Sequence, residues 1–197
     1  MTSLPAGHPN PDRVTWSDEI ARLDVALYSA VASTPTPALD YYFRGLSRTA
    51  DHSKLWIGSA AALAAAGARR AALNGVASIA VVSAVVNLVL KPLSGRRRPD
   101  RDTHHVPAAR GVAMPRSTSF PSGHAASAFA FATGVGIALP RSGLPFTALA
   151  ALVAYSRVHT GVHYPSDVIA GSVIGTGLAP VVVASLERRH SSQQGAD

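Results

Sequence analysis

Uncharged apolar runs alternate with charged punctuation along most of this chain. Residues 55–68, 71–90, 117–140, 144–155 and 168–186 carry no formal charge and are rich in Ala, Val, Leu or Gly. The second run gives 20 consecutive uncharged residues, enough for a helix to cross a bilayer. The first, at 14 residues, is ambiguous: it has the length of a buried core helix, or of a span that borrows residues before Lys54. The third supplies a crossing through its apolar part. The fourth is a shorter one behind a turn at Pro140-Arg141-Ser142-Gly143. The fifth is a crossing whose Gly and Ala content permits close helix packing. No strand alternation and no internal repeat interrupts the sequence pattern. A soluble bundle with buried Ala-rich helices is the competing arrangement, but its helices need a polar face that these runs lack. The pattern predicts an all-α integral membrane helical bundle with about five transmembrane helices.

Ahead of the runs, residues 1–17 hold Pro5, Pro9 and Pro11 without an apolar centre. They read as a flexible polar tail, not as a secretory signal. Ser17, Asp18 and Glu19 cap a helix that runs to about Ser33, with Ile20, Leu23, Leu27, Tyr28 and Val31 at helical spacing. Its charges, Glu19, Arg22 and Asp24, argue against spanning and predict an amphipathic helix at the membrane interface or over the bundle. Thr34-Pro35-Thr36-Pro37 breaks it, and residues 39–49, with Tyr41, Tyr42 and Phe43, predict a second short interfacial helix. The expected organisation is a tail over 1–17, interfacial helices over 18–50, a membrane domain over 51–187 and a polar tail over 188–197.

The net charge of +7 taken alone fits a nucleic-acid partner, but 47% of residues are hydrophobic and only 15% charged. Basic nucleic-acid modules rarely carry such long uncharged segments, so no nucleic-acid partner is expected. The absence of cysteine excludes disulfide frameworks, thiolate catalysis and cysteine metal sites.

Three polar clusters punctuate the runs. The first, Lys91-Pro92-Leu93-Ser94-Gly95-Arg96-Arg97-Arg98-Pro99, puts four cations into the eight residues from Lys91 to Arg98. A charged flank that anchors lipid headgroups has the same composition. The Pro and Gly between Lys91 and Arg98 instead indicate a shaped loop, in which lysine offers a point charge and arginine a bidentate fork for phosphate oxygens. Asn87, four residues before Lys91, either orients it or bonds to another helix. The second cluster is Ser119-Phe120-Pro121-Ser122-Gly123-His124. Ser122 is a helix N-cap, and Gly123 lets the backbone pass close to a ligand. The unpaired N–H groups of a helix start suit a phosphate, and His124 stands at their mouth, placed to hand a proton to a leaving group. Taken alone, the same stretch is equally a capped helix with an incidental histidine.

The third cluster runs from Ser156 to Asp167. Arg157 supplies another phosphate fork, and His163 and Asp167 are four apart, facing each other on a helical turn. A carboxylate that holds one imidazole nitrogen fixes the tautomer and leaves the other nitrogen as nucleophile or base. The plain alternative is a turn in which Asp167 caps the last helix. His159 reads as packing or as support behind the site. His104 and His105 lack a carboxylate or cysteine partner at metal-ligand spacing, so no metal site is expected.

Together the clusters resemble the three-part signature of the type 2 phosphatidic acid phosphatase (PAP2) superfamily. That signature is Lys, six residues, Arg-Pro; then Pro-Ser-Gly-His; then Ser-Arg, five residues, His, three residues, Asp. Lys91…Arg98-Pro99, Pro121-Ser122-Gly123-His124 and Ser156-Arg157…His163…Asp167 fill every position at the right spacing. The match covers about residues 55–186. The resemblance implies a six-helix, haloperoxidase-like core and a phosphohydrolase that needs neither metal nor cofactor. It implies that His163 attacks phosphorus to form a phosphohistidine, that Asp167 orients His163, and that His124 protonates the leaving oxygen. Lys91, Arg98, Ser122, Gly123 and Arg157 then hold the phosphoryl oxygens. Fixed cations and N–H donors suit this chemistry, because the transition state spreads charge over the equatorial oxygens. Five clear runs against six implied helices leave the first helix interfacial.

Catalytic groups at the ends of spans meet a headgroup at the membrane surface, so a phosphorylated lipid is the expected substrate. The short Ala- and Arg-rich form is similar to phosphatases of polyprenyl-linked cell-wall precursors, with decaprenylphosphoryl-5-phosphoribose the first expectation. Undecaprenyl diphosphate and phosphatidate or phosphatidylglycerophosphate follow. A soluble vanadate-dependent haloperoxidase uses the same pocket, but those chains are much longer. A non-catalytic, basic membrane-anchoring protein has no use for His124, His163 and Asp167. A raw count of Lys and Arg puts the catalytic loops in the cytoplasm, whereas the family usually places its site outside; the outer face of the cell membrane is the expectation for this multi-pass chain. Its oligomeric state is not legible in the sequence.

Overall fold

The computed structural model describes residues 15–194. Its helices are α1 (Trp16–Ser33), α2 (Pro37–Thr49), α3 (Lys54–Ala65), α4 (Arg69–Ala84), α5 (Lys91–Ser94), α6 (Gly123–Ala138), α7 (Pro140–His159) and α8 (Pro165–Gln194), and no strand occurs among the described residues. A π-helical turn, Val85–Leu90, joins α4 to α5. The five uncharged runs correspond in order to α3, α4, α6, α7 and α8. Two stretches, Arg69–Ser94 and Pro165–Arg189, are long and apolar enough to cross a membrane, and α6 is apolar but shorter. At 12 residues α3 is about 18 Å long, short of the roughly 30 Å hydrocarbon core. It borrows nothing from before Lys54, because His52 and Ser53 take positive φ angles of 55° and 59° and break the helix there.

Three boundaries differ from expectation. Thr15 caps α1 through a capping box with Asp18, two residues ahead of the expected start. The expected turn at Pro140 is instead the first turn of α7, where proline's missing N–H has no intrahelical partner to lose. Residues 188–194, expected as tail, continue α8. Of the expected tail at 1–17, residues 1–14 lie outside the described residues.

The axis of the bundle is α6, against which α4, α7 and α8 all pack. Five of its nine buried residues are alanine, which loses no side-chain entropy and lets neighbouring backbones approach. On α8, Gly171 and Gly175 lie one turn apart against the Ser122 and Ala126 carbonyls of α6, where a Cβ has no room. The phenyl ring of Phe131 fills the gap between Trp56 of α3 and Phe146 of α7, with ring centroids 5.3 Å from each.

The N-terminal pair is fastened by charge. Buried on α1 are Asp24, Tyr28 and Ala32, while Trp16, Ile20, Leu23 and Leu27 face outward. Asp24, one of the charges that argued against spanning, is therefore an internal anchor, paired with Arg96 at 2.6 Å. Arg110 is fully buried beneath the α1–α2 junction. Its Nε donates to Asp40 at 2.8 Å, and its other nitrogens reach the Val31 and Thr34 carbonyls and Thr36 Oγ. Such carbonyls are the acceptors that a helix end leaves unpaired.

Candidate active site

The three clusters close on one another at one end of the bundle. Backbone and hydroxyl bonds stitch them: Ser119 N to the Arg96 carbonyl at 2.8 Å, Ser122 N to the Asp167 carbonyl at 2.9 Å, and Ser94 Oγ to the Phe120 carbonyl at 2.7 Å. Gly95, with φ of 59°, ends α5 in the left-handed conformation that glycine adopts without steric cost. Gly161 turns the chain after α7 with φ of 71°, and a Cβ there meets the Tyr28 hydroxyl.

His163 is 1% exposed. Arg98 Nη1 lies 3.1 Å from its Nε2. A guanidinium only donates, so Nε2 carries the lone pair and Nδ1 the proton. Nδ1 faces Asp167 Oδ2 and Ser119 Oγ, each at 3.4 Å. Burial, above all, pushes the imidazole down to about 3, so His163 is neutral at ordinary pH. The Asp167 carboxylate is fully buried and accepts from Ser119 Oγ at 2.5 Å and from the Tyr164 N–H and Arg96 Nη1 at 2.8 Å each. The contact with Tyr164 N is a helix-capping bond, so Asp167 both caps α8 and faces His163.

The cations converge on the same place. Lys91 Nζ reaches Ser117 Oγ at 3.2 Å, and Arg98 is oriented by the Ser117 and Val162 carbonyls at 2.9 and 2.8 Å. Arg157 is buried and donates to Ser47 Oγ. Ser122 caps α6 by accepting from Ala125 N at 3.5 Å, and a methyl on Gly123 stands only 3.6 Å from Lys91 Nζ. Asn87 takes neither expected role: its amide donates to the Ser83 carbonyl and hydroxyl within α4 and its π-turn. A cavity of about 170 Å³ opens here, lined by Asn87, Lys91, Gly123 and His124 together with His52 and Ser53. A larger hollow of about 650 Å³, between α4 and α8 beside Arg70 and Glu187, contains none of the converging residues.

The site also includes residues that sequence reasoning passed over. His124 Nε2 lies 2.8 Å from Asp51 Oδ1, in the turn between α2 and α3, and Arg157 Nη1 is 3.7 Å from the same oxygen. The His124 hydrogen bond holds the Asp51 carboxyl below the usual carboxylate range. Arg96 bridges Asp167 to Asp24 and lies 4.6 Å over the Tyr164 ring. His159 packs between Phe43 and Tyr155 with Nε2 2.8 Å from Asp40, and His104 Nδ1 meets Ser29 Oγ at 3.0 Å. Among the described residues, no three His, Asp or Glu side chains converge as metal ligands.

Such a site presents a buried, neutral imidazole beside fixed cations and a capped helix start, with a second histidine held by a carboxylate. That is an arrangement for transferring a phosphoryl group. The chain belongs to the PAP2 superfamily, whose family model matches residues 71–191. It is 36% identical over 171 residues to the decaprenylphosphoryl-5-phosphoribose phosphatase of Mycobacterium tuberculosis, covering 84% of this chain and 92% of that one. A Mycolicibacterium smegmatis protein of the same name is 36% identical over 75% of this chain and 78% of its own. The lipid A 1-phosphatase of Rhizobium johnstonii is 38% identical over 48% of this chain and 40% of its own. The transmembrane PAP2-type phosphatidylglycerolphosphate phosphatase of Bacillus subtilis shares the fold with a TM-score of 0.68 at 24% identity, over 87% of this chain and 88% of that one. Aquifex aeolicus LpxE does so with a TM-score of 0.68 at 24% identity, over 82% and 95%. This chain is an all-α membrane helical bundle and a phosphoric ester hydrolase.

Proposed function

We propose that the enzyme hydrolyses a phosphate ester or diphosphate on a membrane lipid through a phosphohistidine on His163, without a metal or cofactor. The observation that carries this reading is the bare Nε2 of a neutral His163, set against Arg98 while Nδ1–H faces Asp167. Nε2 attacks phosphorus, the P–O bond to the lipid breaks, and His124 gives its proton to the departing oxygen. Lys91, Arg98, Arg157 and the N–H groups around Ser122 and Gly123 take up the charge on the phosphoryl oxygens. His124, now neutral, accepts a proton from water as it attacks phosphorus. The N–P bond breaks, and phosphate and neutral His163 are released. Asp167 holds Nδ1 throughout.

A polyprenyl-linked cell-wall precursor is the proposed substrate, decaprenylphosphoryl-5-phosphoribose first. Support comes from the relatives of that name, which match over 84% and 75% of this chain. Undecaprenyl diphosphate and phosphatidate or phosphatidylglycerophosphate are the other candidates. Residues 51–187 form the catalytic domain of a multi-pass protein with its site on the outer face of the cell membrane, and membrane lipids, not nucleic acid, surround and feed it. Phosphate release from a panel of these lipids, by wild type and His163→Ala in EDTA, tests the reading. EDTA-resistant turnover that the substitution abolishes is expected, and turnover that EDTA abolishes overturns the mechanism.

A further inference from the structure

His124 is set among charges of mixed sign. Lys91 from α5, Arg157 from α7 and His52 from the α2–α3 turn stand near it or its partner, and the sole carboxylate among these neighbours is Asp51. Burial pushes the His124 imidazole down, and the Asp51 oxygen, 2.8 Å from its Nε2, is the main influence pulling it back up. The backbone goes out of its way to deliver it: the two residues after Asp51, His52 and Ser53, both adopt left-handed φ angles that side chains other than glycine rarely take. Asp51 is also about one-third exposed and is not itself among the cavity-lining residues, so it reaches the histidine without filling the site.

We propose that Asp51 is a positioning residue for acid catalysis: it strengthens the hold of His124 on its proton and aims the ring at the departing oxygen of the lipid. This rests on the phosphohistidine reading above and extends it to a residue outside the three clusters. The site then holds two His–Asp pairs whose carboxylates are shared differently. Asp167 divides its charge among Ser119, Arg96 and the Tyr164 amide, and meets His163 only at 3.4 Å, leaving a neutral nucleophile. Asp51 has no hydrogen-bond donor but His124 among the described residues, with Arg157 at 3.7 Å, and gives its charge chiefly to that imidazole.

Asp51→Asn in the full chain tests this with two probes, dioctanoyl phosphatidate and p-nitrophenyl phosphate. The first leaves as an alkoxide and needs the proton; the second leaves as a stable phenolate and does not. The expected result is a loss of about tenfold to a hundredfold in kcat on phosphatidate, with the alkaline limb of the pH profile moved to lower pH and KM little changed. Turnover of p-nitrophenyl phosphate stays near wild type. Asp51→Glu, which keeps the carboxylate, restores the alkaline limb, and Asp51→Asn adds nothing to His124→Ala. Equal loss on both probes, an unmoved alkaline limb, or Asp51→Glu as defective as Asp51→Asn overturns the proposal while leaving the nucleophile assignment standing. Wild-type turnover of p-nitrophenyl phosphate that survives His163→Ala overturns the phosphohistidine reading itself.

Discussion

Ser119 Oγ, at 2.5 Å, is the closest donor to Asp167, ahead of His163. It holds the carboxylate oxygen that faces the imidazole and so fixes where that oxygen sits against Nδ1. Ser119→Ala is expected to lower kcat by about tenfold, the worth of one hydrogen bond to a charged group. Asp167→Asn, which removes the acceptor that fixes the tautomer, is expected to cost about three to four orders of magnitude in kcat, as in other carboxylate-oriented histidines. Steady-state assays on one lipid separate the two. The buried imidazole also leaves a mark on stability. Its ordinary value is 6.5 and the fold holds it near 3, so between these limits the unfolded chain binds the extra proton and stability falls as pH falls. The melting temperature in detergent is expected to drop as pH is lowered from 6.5 toward 3, and His163→Asn to flatten that slope.

The helices, and the three clusters between them, were legible because each signal is local: a run without charge, a capped start, a histidine and an aspartate four apart. Pro140 was misread because proline looks the same as a breaker and as the first residue of a helix. The polar partners were hidden for another reason. Asp24 meets Arg96, Asp40 meets Arg110, and Asp51 meets His124 across about 70 residues of chain in every case. In a basic run, nothing local distinguishes half-buried, bridging Arg96 from exposed Arg97. Between helices, the close contacts follow from glycine. Gly175→Val on α8 is expected to destabilise by about 1–3 kcal/mol through its clash with the Ala126 carbonyl. Gly177, two residues on and with nothing within 4 Å, is expected to accept alanine with unchanged or raised melting temperature.

At the scale of the whole molecule, two charge sets, Asp24 with Arg96 and Asp40 with Arg110, fasten the N-terminal helices to the catalytic bundle. Arg110→Ala leaves Asp40 short of its closest cation and several carbonyls unpaired, and is expected to destabilise by about 3–5 kcal/mol, read as loss of the folded form in thermal denaturation. Leu73, Val81 and Leu88 on the α4 stretch and Ile169, Val173 and Val181 on α8 face outward, a flank suited to lipid tails, while the reacting groups all lie beyond one end of it. The substrate therefore reaches the enzyme by travelling within a sheet of other lipids, and its concentration in the beaker has little meaning. In mixed micelles the rate should follow the mole fraction of phosphorylated lipid at the surface. Adding more micelles of the same composition should leave the rate unchanged once the enzyme is embedded, whereas diluting the lipid with inert detergent at constant bulk concentration should slow it.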